Sequence, residues 1–131
     1  MGNRLQLRPL AKTVELSMCI KVSEIEGGVS LNIFTEGCDR VPFKLEFCFT
    51  PGYAINGESF MMTGEAGCNV TAKSGFVEVR DELDSILVGP AFANHFYTSA
   101  MRGSEPPSNQ EFTVYFTDFT NLDRTVTIKK V

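Results

Sequence analysis

Apolar and polar residues alternate strictly in two stretches of the chain. In residues 41–50 the odd positions are apolar, namely Val41, Phe43, Leu45, Phe47 and Phe49. In residues 13–22 the even positions are apolar, namely Val14, Leu16, Met18, Ile20 and Val22. Successive side chains of a β-strand point to opposite faces, so this period of two predicts two strands with one buried face each. Both apolar sets are expected to point into the core.

The remaining strands are marked by turn residues. The Gly27-Gly28 pair predicts a turn, and it is followed by alternating residues at 29–34, so residues 13–34 are expected to form an antiparallel hairpin. Shorter strands are expected at 59–63, 69–72, 75–80 and 85–89, with a polar turn at 81–84. Two closing strands are expected at 111–119 and 124–130, joined by a polar turn at 120–123.

These segments add up to about nine short strands, and no segment has a helical period. The pattern predicts an all-β fold without a long helix, in one domain spanning residues 1–131. We expect a two-sheet antiparallel β-sandwich, as a jelly-roll or a supersandwich fragment, because a single sheet could not bury the 11 phenylalanines of the chain. The phenylalanines expected to fill the space between the sheets are Phe43, Phe47, Phe49, Phe112 and Phe116.

Composition excludes several classes of protein. The chain has 12 Lys and Arg against 16 Asp and Glu, a net charge of −4 and a pI near 5.0, which argues against a nucleic-acid-binding protein. No apolar run is long enough for a membrane span or an export signal, so no membrane partner is expected. The localisation of the protein is left open by these features.

Cysteine and histidine content argues against a metal centre or another cofactor. None of Cys19, Cys38, Cys48 and Cys68 forms a C-x-x-C pair, and we expect free thiols, although Cys38 and Cys68 lie in glycine-flanked turns where a bridge is geometrically possible. The chain has one histidine, too few for a cupin-type metal site, and no G-x-S-x-G motif for a hydrolytic triad. We therefore expect no cofactor.

In residues 90–109 apolar and polar residues show no regular period, and this is the longest such stretch of the chain. It contains the single histidine, His95. Long irregular segments of compact domains often carry function. Asn94, His95, Tyr97 and Arg102 lie in it, and they could supply an acid/base pair or bind a sugar carboxylate. An alternative is that His95 begins a strand and hydrogen-bonds locally.

Two other groups of residues have side chains suited to a binding or catalytic site. The acidic groups at 81–84 and at Asp118 and Asp123 are interpreted as turn residues rather than as glycosidase carboxylates, which need a cleft and a partly desolvated carboxyl group. An aromatic platform for a sugar ring, made of Tyr53, Tyr97 and Tyr115, is the less favoured alternative.

Several segments, read together, resemble the C-terminal β-sandwich region of polysaccharide lyases of the heparinase II/III and alginate lyase types. The resemblance covers roughly residues 41–131, and it is carried by the segments 42–47, 75–79, 84–90, Asn94-His95 and 116–128. In that family a helical toroid precedes the β region, and polymers of uronic acids are cleaved by β-elimination between the two. Tyrosine and histidine act there as base and acid, with asparagine or arginine neutralising the carboxylate.

The chain lacks a toroid, so the resemblance implies a noncatalytic β-sandwich domain accessory to a polysaccharide-degrading lyase. Asn94, His95, Tyr97 and Arg102 would then bind carbohydrate weakly, with the polysaccharide or the parent catalytic domain as partner and a periplasmic or extracellular location. One alternative is a small glycan-active lyase or isomerase that uses His95 and Tyr97 as catalytic residues. Another is a purely structural or oligomerising sandwich, for example a homo-oligomer, which an exposed strand edge bearing the run from Phe43 to Phe49 would favour.

Overall fold

The computed structural model describes residues 15–50, 54–62, 69–97 and 112–131. Eight strands lie in these ranges: β1 (Leu16–Ile25), β2 (Gly28–Gly37), β3 (Pro42–Phe49), β4 (Ala54–Met62), β5 (Val70–Arg80), β6 (Ser85–Gly89), β7 (Phe112–Phe119) and β8 (Asp123–Lys130). None of the described residues is helical, which confirms the all-β class. Accordingly, this part of the chain holds no helix that could cross a bilayer.

All eight strands are linked in one hydrogen-bonded sheet that curls into a half-barrel. Its order is β1-β2-β8-β6-β5-β7-β3, and β4 pairs with β5 outside this path. The pairing of β5 with β7 is parallel, whereas every other pairing of these strands is antiparallel. The predicted hairpin is confirmed, since β1 pairs with β2 from Leu16–Gly37 to Ile25–Gly28.

Strand β5 replaces two predicted strands. The sequence indicated separate strands at 69–72 and 75–80, but β5 runs through both without a break. Its buried apolar residues are Val70 and Ala72 before Gly75, and Val77 and Val79 after it, so the apolar inward positions change from even to odd. Gly75 has a positive φ of 66°, and the pairing with β4 shifts register in the same region. A β-bulge of this kind inserts an extra residue and allows the strand to continue.

The core of the described residues is centred on β7 and Phe116. Phe116 of β7 is fully buried, and its ring contacts Phe47 of β3 edge-on at 5.2 Å and Phe92 at 5.5 Å between centroids. The buried cluster around it draws on four strands and the segment after β6, and consists of Val70, Ala72, Val77, Val79, Val88, Phe92, Val114, Phe116 and Val126. The expected inward positions of Phe47 and Phe116 are confirmed.

The predicted inward face of β1 is wrong. Its apolar side chains are 42, 56, 51 and 62% exposed, in the order Leu16, Met18, Ile20 and Val22. They share a face with core residues of β2, because Ile20 pairs with Ile33 and Val22 with Leu31. However, β1 is the end strand of the sheet, and it contacts only β2 among the described strands. The core therefore stops at β2, and the apolar stripe of β1 lies beyond it.

Strand β7 is buried on both faces, although the sequence indicated only one. Tyr115 points away from Val114 and Phe116, as expected, yet only 2% of it is exposed. The Nζ atom of Lys44 lies 5.0 Å from the centroid of the Tyr115 ring and 2.9 Å from a carboxylate oxygen of Glu46. The outer face of β7 is thus part of the protein interior, and it carries the segment that contains His95.

Candidate functional site

The segment from Ala91 to Tyr97 lies along β7 and is fixed to it by backbone hydrogen bonds. The amide of Asn94 donates to the carbonyl of Thr117 at 2.9 Å, and the amide of Thr117 donates to the carbonyl of Phe92 at 2.9 Å. Ala93 and Thr117 form an isolated parallel bridge. The part of the predicted irregular stretch that the structure describes is therefore anchored on a strand, and His95 has a defined position.

His95 is buried, and both of its ring nitrogens have partners within the fold. The backbone amide of Tyr97 lies 3.3 Å from Nδ1, and because an amide can only donate, Nδ1 must accept. This places the ring proton on Nε2, which lies 2.9 Å from the carbonyl oxygen of Phe43 and donates to it. His95 begins no strand, but its ring is hydrogen-bonded within the fold, as one of the two interpretations of the sequence expected.

The ring of His95 supports an aromatic cluster that we define as His95, Tyr97 and Phe119. Tyr97 stacks on His95 with 4.9 Å between centroids and an angle of 14° between planes. Phe119 meets His95 edge-on at 5.0 Å and lies 6.4 Å from Tyr97. Since Tyr97 is 51% exposed while His95 is 4% exposed, the cluster has a buried base and an aromatic ring at the surface.

Arg40 joins this cluster from the loop between β2 and β3. Its guanidinium lies 5.3 Å from the centroid of the Phe119 ring, within the range of a cation–π contact. Arg40 has a positive φ of 57°, and Asp39 holds the loop by accepting hydrogen bonds from the amides of Arg40 at 3.0 Å and Asn121 at 2.9 Å. Among the described residues no carboxylate forms an ion pair with Arg40.

The four predicted site residues have different positions. Asn94 and Tyr97 are exposed, whereas His95 is buried. Arg102 lies outside the described residues, and so does Tyr53 of the alternative aromatic platform. Arg40 was missed, because the sequence gives no sign that the turn before β3 lies beside the segment after β6. Its guanidinium is the positive charge that the structure places at the aromatic cluster.

The acidic groups have structural roles. Asp118 forms an ion pair with Arg124 at 2.8 Å, and the guanidinium of Arg124 also lies 4.5 Å from the centroid of Phe92. Asp81 accepts hydrogen bonds at 2.8 Å from the amides of Leu83 and Asp84. Backbone hydrogen bonds, that from Asp84 first and then that from Leu83, lower the pKa of Asp81 below its ordinary value of 3.8. These contacts agree with the prediction that residues 81–84 form a polar turn.

Within the described ranges there is no group of three residues that could hold a metal ion. No disulfide joins the described cysteines, which are Cys19, Cys38 and Cys48. At the aromatic cluster the structure places one exposed aromatic ring, that of Tyr97, and one guanidinium, that of Arg40.

Comparison with protein-family models, curated proteins and solved structures gives no match. Nothing in these comparisons links the chain to heparinases or alginate lyases.

Proposed function

We propose that the protein is a noncatalytic β-domain that binds acidic carbohydrate weakly and acts as an accessory to a polysaccharide-degrading lyase. The binding surface consists of Tyr97, Arg40 and Asn94. The observation that carries the proposal is the stacking of the exposed Tyr97 ring on His95, whose two nitrogens are both hydrogen-bonded within the fold.

Tyr97 has the properties of a stacking platform for a sugar ring. One face of its ring rests on His95, and about half of the residue is exposed. The face of an aromatic ring carries partial negative charge, which attracts the C–H groups on the apolar face of a pyranose ring. Because His95 and Phe119 hold the Tyr97 ring in place, little side-chain entropy is lost when a ligand binds.

Arg40 gives the surface a preference for acidic sugars. Its guanidinium has no ion-pair partner among the described residues, and a guanidinium can bind a carboxylate through two parallel hydrogen bonds. The exposed amide of Asn94 adds a donor and an acceptor for hydroxyl groups. The net charge of −4 repels an acidic polymer at long range, so the attraction is local and the affinity is low.

The accessory role rests on the resemblance of residues 41–131 to the β-sandwich region of polysaccharide lyases. In keeping with it, we propose that the two flanks of the curled sheet are the layers of a sandwich. The place of Phe116 of β7 in one buried cluster with Val88 of β6 and Val126 of β8, strands that do not pair with β7, supports this arrangement.

A catalytic role for His95 is less favoured by the geometry. Before Nδ1 could accept a proton from a substrate, it would have to lose its hydrogen bond from Tyr97, and the ring lies under that residue. The alternative, a small lyase or isomerase that uses His95 and Tyr97, predicts catalytic turnover, which the experiment below detects.

The test is a titration of the full chain with oligogalacturonate and with a neutral cello-oligosaccharide, followed by NMR chemical shifts and calorimetry. We expect a dissociation constant in the millimolar range for the acidic ligand and weaker binding of the neutral one. Tyr97→Ala and Arg40→Ala should each weaken acidic-ligand binding by about tenfold. Phe96→Ala is the matched control, because Phe96 is equally exposed but contacts Lys73 instead of the aromatic cluster.

Absence of binding to both ligands at millimolar concentration would overturn the proposal. So would equal losses in the Phe96 and Tyr97 variants. If the ultraviolet absorbance of an unsaturated sugar product appears during incubation with polyuronate, and disappears in His95→Ala, the protein is an enzyme and the noncatalytic assignment is wrong.

A further inference from the structure

The free edge of β1 is separate from the aromatic cluster and remains unexplained by carbohydrate binding. Of the described strands only β2 pairs with β1, and every residue from Leu16 to Glu24 is exposed. Natural sheets protect such edges with charges, prolines or bulges. Within Leu16–Val22 the single charge is Lys21, there is no proline, and the pairing with β2 has no bulge.

The backbone of β1 has a defined set of groups that point outward. The amide of Cys38 donates to the carbonyl of Glu15, and the register continues unbroken from there to Ile25 and Gly28. In an antiparallel pair, hydrogen-bonded and non-hydrogen-bonded residues alternate. The odd-numbered residues of β1 therefore bond to β2, and the even-numbered ones, Leu16 to Val22, direct their amides and carbonyls to the free edge.

The sequence of this edge is self-complementary around Cys19. In an antiparallel pair of two β1 strands centred on Cys19, Leu16 lies opposite Val22 of the second copy, and Met18 lies opposite Ile20. On the other face Ser17 lies opposite Lys21, and Cys19 lies opposite itself. All four apolar side chains gain an apolar neighbour, and no like charges meet.

Neighbouring registers set other residues opposite each other. A pair centred on Ile20 sets Leu16 opposite the carboxylate of Glu24, and a pair centred on Lys21 sets the two lysines against each other. A pair centred on Met18 sets Val22 opposite residue 14, which lies outside the described residues, and sets Cys19 opposite Ser17, so the two Cys19 side chains no longer face each other. A shift that sets even-numbered residues opposite odd-numbered ones is excluded, because only the even-numbered residues direct their amides and carbonyls to the free edge.

We propose that two copies of this chain associate through their β1 strands, antiparallel and centred on Cys19, to form a continuous sheet across a two-fold axis. The outer face adds to the contact, since Phe34 of β2 pairs with Cys19 and is 42% exposed. The two Phe34–Cys19 pairs would form one apolar row across the axis. A two-fold axis requires the same surface on both copies, as this self-complementary strand provides.

The first test is sedimentation equilibrium of the full chain in reductant, from about 1 μM to about 1 mM. We expect a reversible dimer with a dissociation constant in the micromolar range, because the paired edge is smaller than a standard protein interface. Met18→Lys should raise that constant at least about tenfold by setting a charge opposite Ile20. Leu83→Lys is the matched control, because Leu83 is 90% exposed in the 81–84 turn, and it should leave the constant unchanged.

A second pair of variants tests the register. Ser17→Lys sets two lysines opposite each other at each end of the pair, while within the monomer it faces Glu36 of β2. It should therefore weaken the dimer without unfolding the monomer. Ser23→Lys makes the same change on the same face, but the Cys19-centred register sets it opposite Glu15 of the second copy, so it should not weaken the dimer.

Disulfide cross-linking gives an independent measurement. In this register Cys19 occupies a non-hydrogen-bonded position, where opposite Cα atoms lie about 4.5 Å apart, within the range of a disulfide. Oxidation by diamide joins the two sulfur atoms, and two electrons and two protons pass to diamide. Cys19→Ser should abolish the covalent dimer and retain the reversible one.

Three results would overturn the proposal. One is a monomer at every concentration, which would mean that the exposed apolar side chains of β1 contact a different partner chain. Another is a dimer that Met18→Lys leaves intact, or that Ser17→Lys and Ser23→Lys weaken equally. The third is a covalent dimer that persists in Cys19→Ser. None of these results bears on the binding of carbohydrate at Tyr97.

Discussion

The hydroxyl of Thr117 donates to the backbone carbonyl of His95 with 2.5 Å between the oxygens, and it also lies 3.4 Å from the backbone nitrogen of His95, whose amide donates to it. Both residues are buried. One side chain of β7 thus satisfies both backbone groups of the residue that supports Tyr97. The Thr117 hydroxyl therefore helps to position the aromatic cluster, because it fixes the backbone of His95.

Replacing Thr117 by valine should destabilise the protein by about 1–3 kcal/mol, because the shape is kept while two buried backbone groups of His95 lose their partner. Urea denaturation measures the change in the free energy of unfolding. Thr50→Val, at an exposed position just after β3, should change it by less than about 0.5 kcal/mol. Equal effects of the two substitutions would contradict the role assigned to Thr117.

The two glycines of the β1–β2 turn should differ strongly in their tolerance of alanine. A Cβ atom on Gly28 would lie 1.9 Å from the carbonyl oxygen of Ile128, so β8 would have to move, and we expect Gly28→Ala to cost more than about 3 kcal/mol. A Cβ atom on Gly27 meets nothing closer than 3.9 Å, and only its positive φ of 78° opposes alanine. Gly27→Ala should cost about 1–2 kcal/mol.

Thermal unfolding of the two glycine variants measures the difference. A smaller loss for Gly28→Ala than for Gly27→Ala would show that the close approach of β2 to β8 is not as described.

Asp81 should make stability depend on pH. Its folded-state pKa is lowered by the amide hydrogen bonds of Asp84 and Leu83, so its contribution is present above the unfolded value near 3.8 and is lost as the pH falls through the lower folded value. Asp81→Asn should therefore be less stable than the unsubstituted protein at pH 7, and the difference should shrink below pH 3.8.

Denaturation curves at several pH values measure this difference, with Glu82→Gln as the control from the same exposed turn. A difference for Asp81→Asn that stays constant down to the lowest pH would contradict the lowered pKa.

The alternation of residues identified most strands but could not show which faces are covered. The period of two in β1 correctly placed Leu16, Met18, Ile20 and Val22 on one face. Whether that face is buried depends on what lies opposite, and this is decided by the position of β1 at the end of the sheet. The same limit applies to Tyr115, whose direction was predicted and whose burial was not.

The candidate site was predictable only in part. The sequence singled out His95 and Tyr97, which are neighbours in the chain, and the structure stacks their rings. It gave no indication of Arg40 or of the carbonyl of Phe43, because these contacts depend on how β3 and the segment after β6 meet at β7. Likewise, β5 continues through Gly75 because of a β-bulge. From the sequence, the glycine at this position predicted a turn between two separate strands.

The place of β8 between β2 and β6 has a consequence for the order of folding. The β1–β2 hairpin is local and can form early, but the strand that pairs with β2 on its inner side is β8 (Asp123–Lys130), and five described strands lie between β2 and β8 in the chain. During synthesis the inner edge of β2 therefore stays open until those residues leave the ribosome. Such long-range closure slows folding and prolongs the exposure of strand edges. Of the described strands, the one that comes last in the chain is the one that joins the hairpin to the core.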